Sequence, residues 1–216
     1  MRSKQHFIFD FDGTLFDSSE GILNAIRYAI GEMGHDQPEY DTLKRFIGPP
    51  LIDSFGKHFG FDKDTSEEAI RHLRVYYKSE GIKEASLFPG IDLMLDNLLN
   101  DGKDLFIATS KPTLFTNQIL DEHGMRDMFQ FVQGSGLVGD IKEKTEIMHE
   151  IVKKQPQLKQ GEAIMVGDTI HDIHGAHNVG MPSVAVLYGF GETNDLLNAN
   201  PTHVADTVEE LNSILT

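Results

Sequence analysis

Apolar residues follow two rhythms along this chain of 216 residues. Between positions 17 and 87 they recur at helical spacing. Ile22, Ala25, Ile26, Ala29, Ile30 and Met33 follow the polar start Asp17-Ser18-Ser19-Glu20, which predicts an amphipathic helix. A second helix is predicted over 40–46. Gly48-Pro49-Pro50 breaks it, and Pro50 is placed to open the next helix, through Phe59. Thr65-Ser66-Glu67-Glu68 reads as a capping box ahead of Ile70, Leu73, Tyr76 and Tyr77. No strand is predicted in this block.

The rest of the chain has the other rhythm. A short apolar run, Phe7-Ile8-Phe9, comes first. After Phe88-Pro89-Gly90, a helix through Met94, Leu95, Leu98 and Leu99 alternates with further short runs. Strands are predicted at 105–109, 129–132, 163–166, 183–187 and 203–205, with a helix opening near Pro112. Short buried strands alternating with helices predict an α/β fold: a Rossmann-like parallel sheet with helices on both faces. The expected division is 1–16 with 88–216 for the α/β core, and 17–87 for an inserted all-helical domain.

A parallel sheet of this kind binds ligands at the carboxyl ends of its strands. The first run ends in Asp10, the second in Thr109-Ser110-Lys111, and the run 163–166 in Gly167-Asp168-Thr169 with Asp172 close behind. Carboxylates and hydroxyls from segments far apart in sequence thus converge on one edge. A carboxylate at the tip of a buried strand needs a metal, a proton or a hydrogen-bond partner. In Asp10-Phe11-Asp12-Gly13-Thr14 two carboxylates precede a turn able to expose backbone N–H groups to an anion.

Composition narrows the chemistry. Cysteine is absent, so a disulfide framework, a thiolate nucleophile and a cysteine-based zinc site are excluded. With 34 acidic against 19 basic residues the formal charge is −15, which argues against a nucleic-acid partner. An anionic substrate would need a bound cation and local lysines or arginines to reverse the field. No apolar stretch is long enough for a membrane span and none precedes the first strand as a leader would, so the expectation is a cytoplasmic protein without a membrane partner. His171, His174 and His177 sit three apart and sweep round a helix, so surface positions are expected rather than a metal site. Gly134-Ser135-Gly136-Leu137-Val138-Gly139 lacks nucleotide-loop spacing and reads as a connection.

The run Asp10-Phe11-Asp12-Gly13-Thr14-Leu15-Phe16-Asp17-Ser18 resembles the first signature of the haloacid dehalogenase superfamily, and Gly167-Asp168-Thr169-Ile170-His171-Asp172 resembles its fourth. The resemblance implies Asp10 as a nucleophile toward phosphorus and Asp12 as a general acid/base. Dehalogenases and phosphonate hydrolases of the superfamily lack the second aspartate, so Asp12 points to the phosphatase and phosphomutase branches. It further implies Mg2+ held by Asp10, Asp168 and the backbone carbonyl of Asp12, with Asp172 reaching it directly or through water. Thr109 resembles the second motif, a phosphate-binding hydroxyl, and Gly13 and Ser110 are expected beside it. The third motif is a lysine. Lys142 and Lys144 both precede a helix, and Lys144-Thr145-Glu146-Ile147 is the better match.

The helical block resembles the small cap that this superfamily inserts after its first motif. Lys44, Arg45 and Ile47-Gly48-Pro49-Pro50-Leu51 are its candidates for contacts with the leaving group. That run and Tyr188-Gly189-Phe190-Gly191 are similar to phosphoglycolate phosphatase-like and 5′-nucleotidase-like members. The expected activity is therefore Mg2+-dependent hydrolysis of a small phosphorylated metabolite such as phosphoglycolate, by a monomer or homodimer. The alternatives are a 5′-nucleotidase, a mutase of the β-phosphoglucomutase type, and a non-catalytic binding module.

Overall fold

A computed structural model describes residues 6–47, 51–136, 143–158 and 163–216. The chain divides into two compact units, one of Met1–Asp17 with Leu87–Thr216 and one of Ser18–Ser86.

The first unit is built on a parallel sheet. Its strands are β1 (His6–Phe9), β4 (Asp104–Pro112), β5 (Phe129–Ser135), β6 (Ala163–Gly167), β7 (Ser183–Val186) and β8 (His203–Ala205). They lie side by side in the order β5-β4-β1-β6-β7-β8. β1 is buried at every position and runs between β4 and β6, pairing Phe9 with Ile107 on one side and Val166 on the other. Strands enclosed on both faces must be apolar throughout, which is why Phe7-Ile8-Phe9 shows no alternation. The chain fills one side of β1 first and then the other, so the carboxyl ends of β1, β4 and β6 become neighbours at the point where strand order reverses.

Helices α7 (Lys144–Lys154) and α8 (Ile170–Asn178) pack on each other. Their Ile147, Met148, Ile151 and Ala176 form one buried cluster with Ile8, Phe106 and Met165 of the sheet. Helix α5 (Ile91–Asn100) packs against β4, α6 (Thr113–Glu122) against β4 and β5, and α10 (Val208–Leu215) against β8 and α5.

The second unit is helical: α1 (Ser19–Glu32), α2 (Tyr40–Lys44), α3 (Leu51–Phe59) and α4 (Lys63–Ser79), closed by a 3₁₀ turn at Gly81–Glu84. Two short strands, β2 (Phe16–Asp17) and β3 (Ser86–Leu87), pair where the chain passes between the units, a feature the helical reading of 17–87 omits. The capping box expected at Thr65 is corrected. Helix α4 begins earlier, because Asp62 caps it by accepting a hydrogen bond from the Thr65 N–H at 2.9 Å. Strand β5 also continues through Gly134 and Ser135, which the sequence reading assigned to a connection. The remainder of that segment, 137–142 with Lys142, and Gly48-Pro49-Pro50 lie outside the described residues.

Inside the helical unit α1 approaches the 3₁₀ turn so closely that a Cβ on Gly21 would overlap the Gly81 carbonyl. A backbone atom yields less readily than a side-chain tip. Gly21→Ala is therefore expected to destabilise this unit by about 1–3 kcal/mol. Chemical denaturation monitored by hydrogen exchange in α1 and α4 would read the loss.

Candidate active site

Strand β1 ends at Phe9, and the ladder carries one residue further: the Asp10 N–H donates to the Val166 carbonyl at 2.8 Å. Asp10 is thereby fixed at the sheet edge. The chain then turns, with the Phe11 carbonyl accepting from the N–H groups of Leu15 and Phe16 at 3.0 Å each. Gly13 makes the turn at φ +83°, a left-handed conformation that side chains disfavour. A Cβ there would also meet the Asp168 carboxylate and the Phe190 ring. The Gly13 N–H, expected to face an anion, donates instead to the Phe16 carbonyl at 2.8 Å. The described contribution of Gly13 is room for Asp168.

Asp168 follows β6 and is fully buried. One oxygen accepts from the Thr14 hydroxyl at 3.0 Å and the other from the Phe190 N–H at 2.8 Å. Tyr188 secures the same turn, its hydroxyl donating to the Thr14 carbonyl at 2.9 Å. Asp172 is in the first turn of α8 and forms a capping box with Thr169. Its Oδ2 accepts from the Thr169 N–H at 3.0 Å and the Thr169 hydroxyl at 2.8 Å. Its other oxygen is left for the site.

Lys144 is the first residue of α7, where the helix dipole disfavours a cation. Its side chain is buried and its ammonium meets three oxygens: the Ala108 carbonyl at 3.0 Å, Asp10 Oδ1 at 2.8 Å and Asp172 Oδ1 at 2.7 Å. The Ala108 contact is a hydrogen bond, and the two carboxylate contacts are ion pairs. Lys111, near the end of β4, makes a second pairing, 2.8 and 3.0 Å from the two Asp12 oxygens. Thr109 is buried and its hydroxyl oxygen accepts from the Lys111 N–H at 3.2 Å. Ser110 is exposed. Arg45 is exposed just beyond α2 in the helical unit, and no side-chain description covers Lys44. His171, His174 and His177 are all exposed along α8.

These placements set the electrostatics. Burial pushes Asp10 up to about 6, against the pull of Lys144 and with a further push from Asp172. Burial likewise raises Asp168 well above the usual carboxylate range, with Asp172 and Asp10 adding to it. Burial lowers the proton affinity of Lys144, but Asp10 and Asp172 outweigh it and raise the net value above that of an ordinary lysine.

Oxygens of Asp10, Asp168 and Asp172 lie within 4.8 Å of one another. The buried Asp10 Oδ1 and Asp172 Oδ1 touch Lys144 but accept no well-aligned hydrogen bond, so each can still face a cation. Among the described residues, with Asp12 included, four carboxylates face two ammonium groups, an excess of two negative charges when all are ionised. Hard oxygen donors carrying that excess fit a divalent cation such as Mg2+.

Sequence reading singled out the four aspartates and Lys144. It gives no role to Lys111, although Thr109-Ser110-Lys111 ends the second run, and none to Thr14 or Phe190 as partners of Asp168. The period of two along β4 carried a signal for Lys111: if Thr109 faces the site, so does the residue two on.

The fold and site together define an α/β protein with a carboxylate and lysine centre suited to a divalent cation. Residues 7–186 match the family described as haloacid dehalogenase-like hydrolase, and the chain belongs to that family. It is 34% identical to a 5′-nucleotidase of Pseudomonas aeruginosa, over 97% of this chain and 95% of that one. It is 33% identical to the tyrosine-protein kinase PtkA of Mycobacterium tuberculosis, over 99% of this chain and 73% of that one. A phosphoglycolate phosphatase of Vibrio parahaemolyticus is 28% identical over 94% and 92%. Among solved structures, a predicted phosphatase from Clostridium acetobutylicum superposes with a TM-score of 0.92 at 35% identity, covering 98% of each chain. Among the described residues no helix is long and apolar enough to cross a membrane.

Removing Lys144 leaves Asp10 and Asp172 buried beside Asp168 with no cation. Lys144→Met is expected to lower metal-free stability at pH 7 by about 3–5 kcal/mol. Asp10 binds its proton more tightly folded than unfolded, so its contribution to stability is full below the unfolded pKa of 3.8 and fades as pH rises through about 6. The loss in Lys144→Met should therefore shrink at pH 5, where Asp10 can neutralise itself by protonation. Urea titrations of both proteins in EDTA at pH 5 and pH 7 check this.

Proposed function

We propose that this protein is a Mg2+-dependent phosphomonoester hydrolase that works through an aspartyl phosphate on Asp10. The observation that carries the reading is the meeting of Asp10, Asp168 and Asp172 within 4.8 Å of one another beside the carboxyl ends of β1 and β6, with the Lys144 ammonium touching Asp10 and Asp172. Asp10, Asp168 and the backbone carbonyl of Asp12 would hold Mg2+, with Asp172 reaching it directly or through water. When bound, the ion offsets the repulsion between a carboxylate and a phosphate dianion.

An Asp10 oxygen attacks phosphorus opposite the leaving oxygen; the Asp10–phosphorus bond forms as the ester bond breaks. Asp12 gives its proton to the departing alkoxide. Water then attacks phosphorus, its proton passes to Asp12, and the Asp10–phosphorus bond breaks to free inorganic phosphate. Lys144 keeps Asp10 in place and offsets negative charge through both steps. Thr109 is proposed to line the phosphate position. The helical unit is proposed to act as a cap that chooses the leaving group, with Arg45 contributing.

Phosphoglycolate is the first substrate proposed. A nucleoside 5′-monophosphate is the second, favoured by the higher identity to the 5′-nucleotidase than to the phosphoglycolate phosphatase. Phosphate release is expected from a panel of phosphorylated metabolites with Mg2+ and not with EDTA, concentrated on one compound. Asp10→Asn should reduce it at least about a thousandfold without loss of fold. Release that persists in EDTA, or in purified Asp10→Asn, would refute the proposal.

Arg45→Ala should change the ranking of substrates more than general activity. Comparing the loss in kcat/KM on the best metabolite with that on p-nitrophenyl phosphate reads this. Equal losses would remove Arg45 from specificity.

A further inference from the structure

We propose that Lys111 is a positioning residue for Asp12, holding the acid/base carboxylate in the orientation from which it serves the leaving oxygen. The inference rests on the reading of Asp12 given above and assigns the adjacent lysine a distinct part in the same reaction.

The geometry of Lys111 is that of a built contact. Its side chain is only 4% exposed, yet its ammonium lies within 3.0 Å of both Asp12 oxygens. A contact to both oxygens fixes the rotation of a carboxylate, which a single contact leaves open. The lysine is confined from below by the Phe11 ring, whose centroid is 5.7 Å from Nζ. Phe11 in turn stacks on Phe16 at 4.5 Å. A cation over an aromatic face is attracted as well as confined. The backbone is equally constrained. The pairing of β4 with β5 shifts register between Ala108 and Pro112, and a Cβ on Gly134 of β5 would run into the Lys111 carbonyl. Glycine at 134 thus lets β5 approach closely beside the residue that carries the lysine.

The two ammonium groups divide the work. Lys144 holds Asp10 and Asp172, and Lys111 holds Asp12. Asp10 and Asp12 are two residues apart, and a cation shared between them would tie the nucleophile to the acid. Separate lysines let Asp10 engage phosphorus while Asp12 keeps its own orientation. Between Thr109 and Lys111 only Ser110 faces outward, so the same strand end supplies the hydroxyl and the positioning lysine.

The test isolates the first chemical step, in which the ester bond breaks and the leaving oxygen takes the Asp12 proton. Single-turnover alcohol release is measured with Mg2+ for two substrates: the best alkyl phosphomonoester of the panel, whose alkoxide must be protonated, and p-nitrophenyl phosphate, whose phenolate leaves without help. In Lys111→Met the alkyl rate is expected to fall about 10–100-fold and the aryl rate much less, with KM for the alkyl substrate nearly unchanged. Lys111→Arg should recover part of the alkyl rate. Because Lys111 acts through Asp12, Lys111→Met added to Asp12→Asn should cost no further alkyl rate.

Equal losses on both substrates, or fully additive losses in the double variant, would overturn the proposal in favour of a structural ion pair. A raised KM with unchanged kcat would overturn it in favour of direct substrate binding. Should Lys111→Met not fold, Lys111→Arg carries the same comparison: a smaller split between the two substrates supports the proposal, and its absence overturns it. A wild-type protein with no Mg2+-dependent turnover, or an Asp12→Asn variant without the split, would instead mark failure of the underlying reading of the site.

Discussion

The Lys144 ammonium, touching Asp10 and Asp172 in a place almost closed to water, is the interaction on which the rest of the site depends. A buried carboxylate is costly when unpaired, and three of them within 4.8 Å repel one another. One lysine cannot neutralise them all. Burial raises the proton affinities of Asp10 and Asp168, and repulsion from the neighbouring carboxylates adds to it. It is tolerated because the sheet holds each group from behind. Asp10 is held by the Val166 carbonyl, Asp168 by Thr14 and the Phe190 N–H, and Asp172 by Thr169. The donor set of such a centre suits a hard divalent cation.

The fold explains why those groups meet. Running β1 between β4 and β6 brings together strand ends that are more than fifty residues apart in sequence. Every strand at the centre is parallel, so every carboxyl end arrives at one edge. Glycines at 13 and 189 then allow two loops to close on Asp168 where any side chain would collide with it. The chain's relatives carry the names 5′-nucleotidase, phosphoglycolate phosphatase and tyrosine-protein kinase. A shared phosphoryl centre combined with differing surroundings would accommodate that range.

Much of this was legible in the sequence because it follows from local pattern. The unbroken Phe7-Ile8-Phe9 run marks a strand enclosed on both faces, and Asp10 at its end is conspicuous because burial penalises it. Lys144 was legible as a cation at a helix start, against the dipole. Partnerships across the fold were not legible. Nothing in the spacing of Thr14 and Phe190 says that they converge on Asp168, or that Tyr188 ties the Thr14 turn in place, since that meeting depends on how two turns pack. Lys111 was visible as a residue but not as the partner of Asp12, because the strand was expected to end before it. Extension of β4 through Pro112, with its register shift, turns the lysine inward. The start of α4 was misread for a simpler reason: Asp62 and Thr65 are both good caps, and the earlier one gained the helix.

The central claim is that Asp10 becomes covalently phosphorylated. The most direct measurement is to quench the Mg2+-loaded protein with acid during turnover and locate the phosphoryl group by peptide mass spectrometry. The account predicts one phosphoryl group on the peptide containing Asp10, absent in Asp10→Asn. A phosphoryl group on another residue, or one that persists in Asp10→Asn, would contradict it.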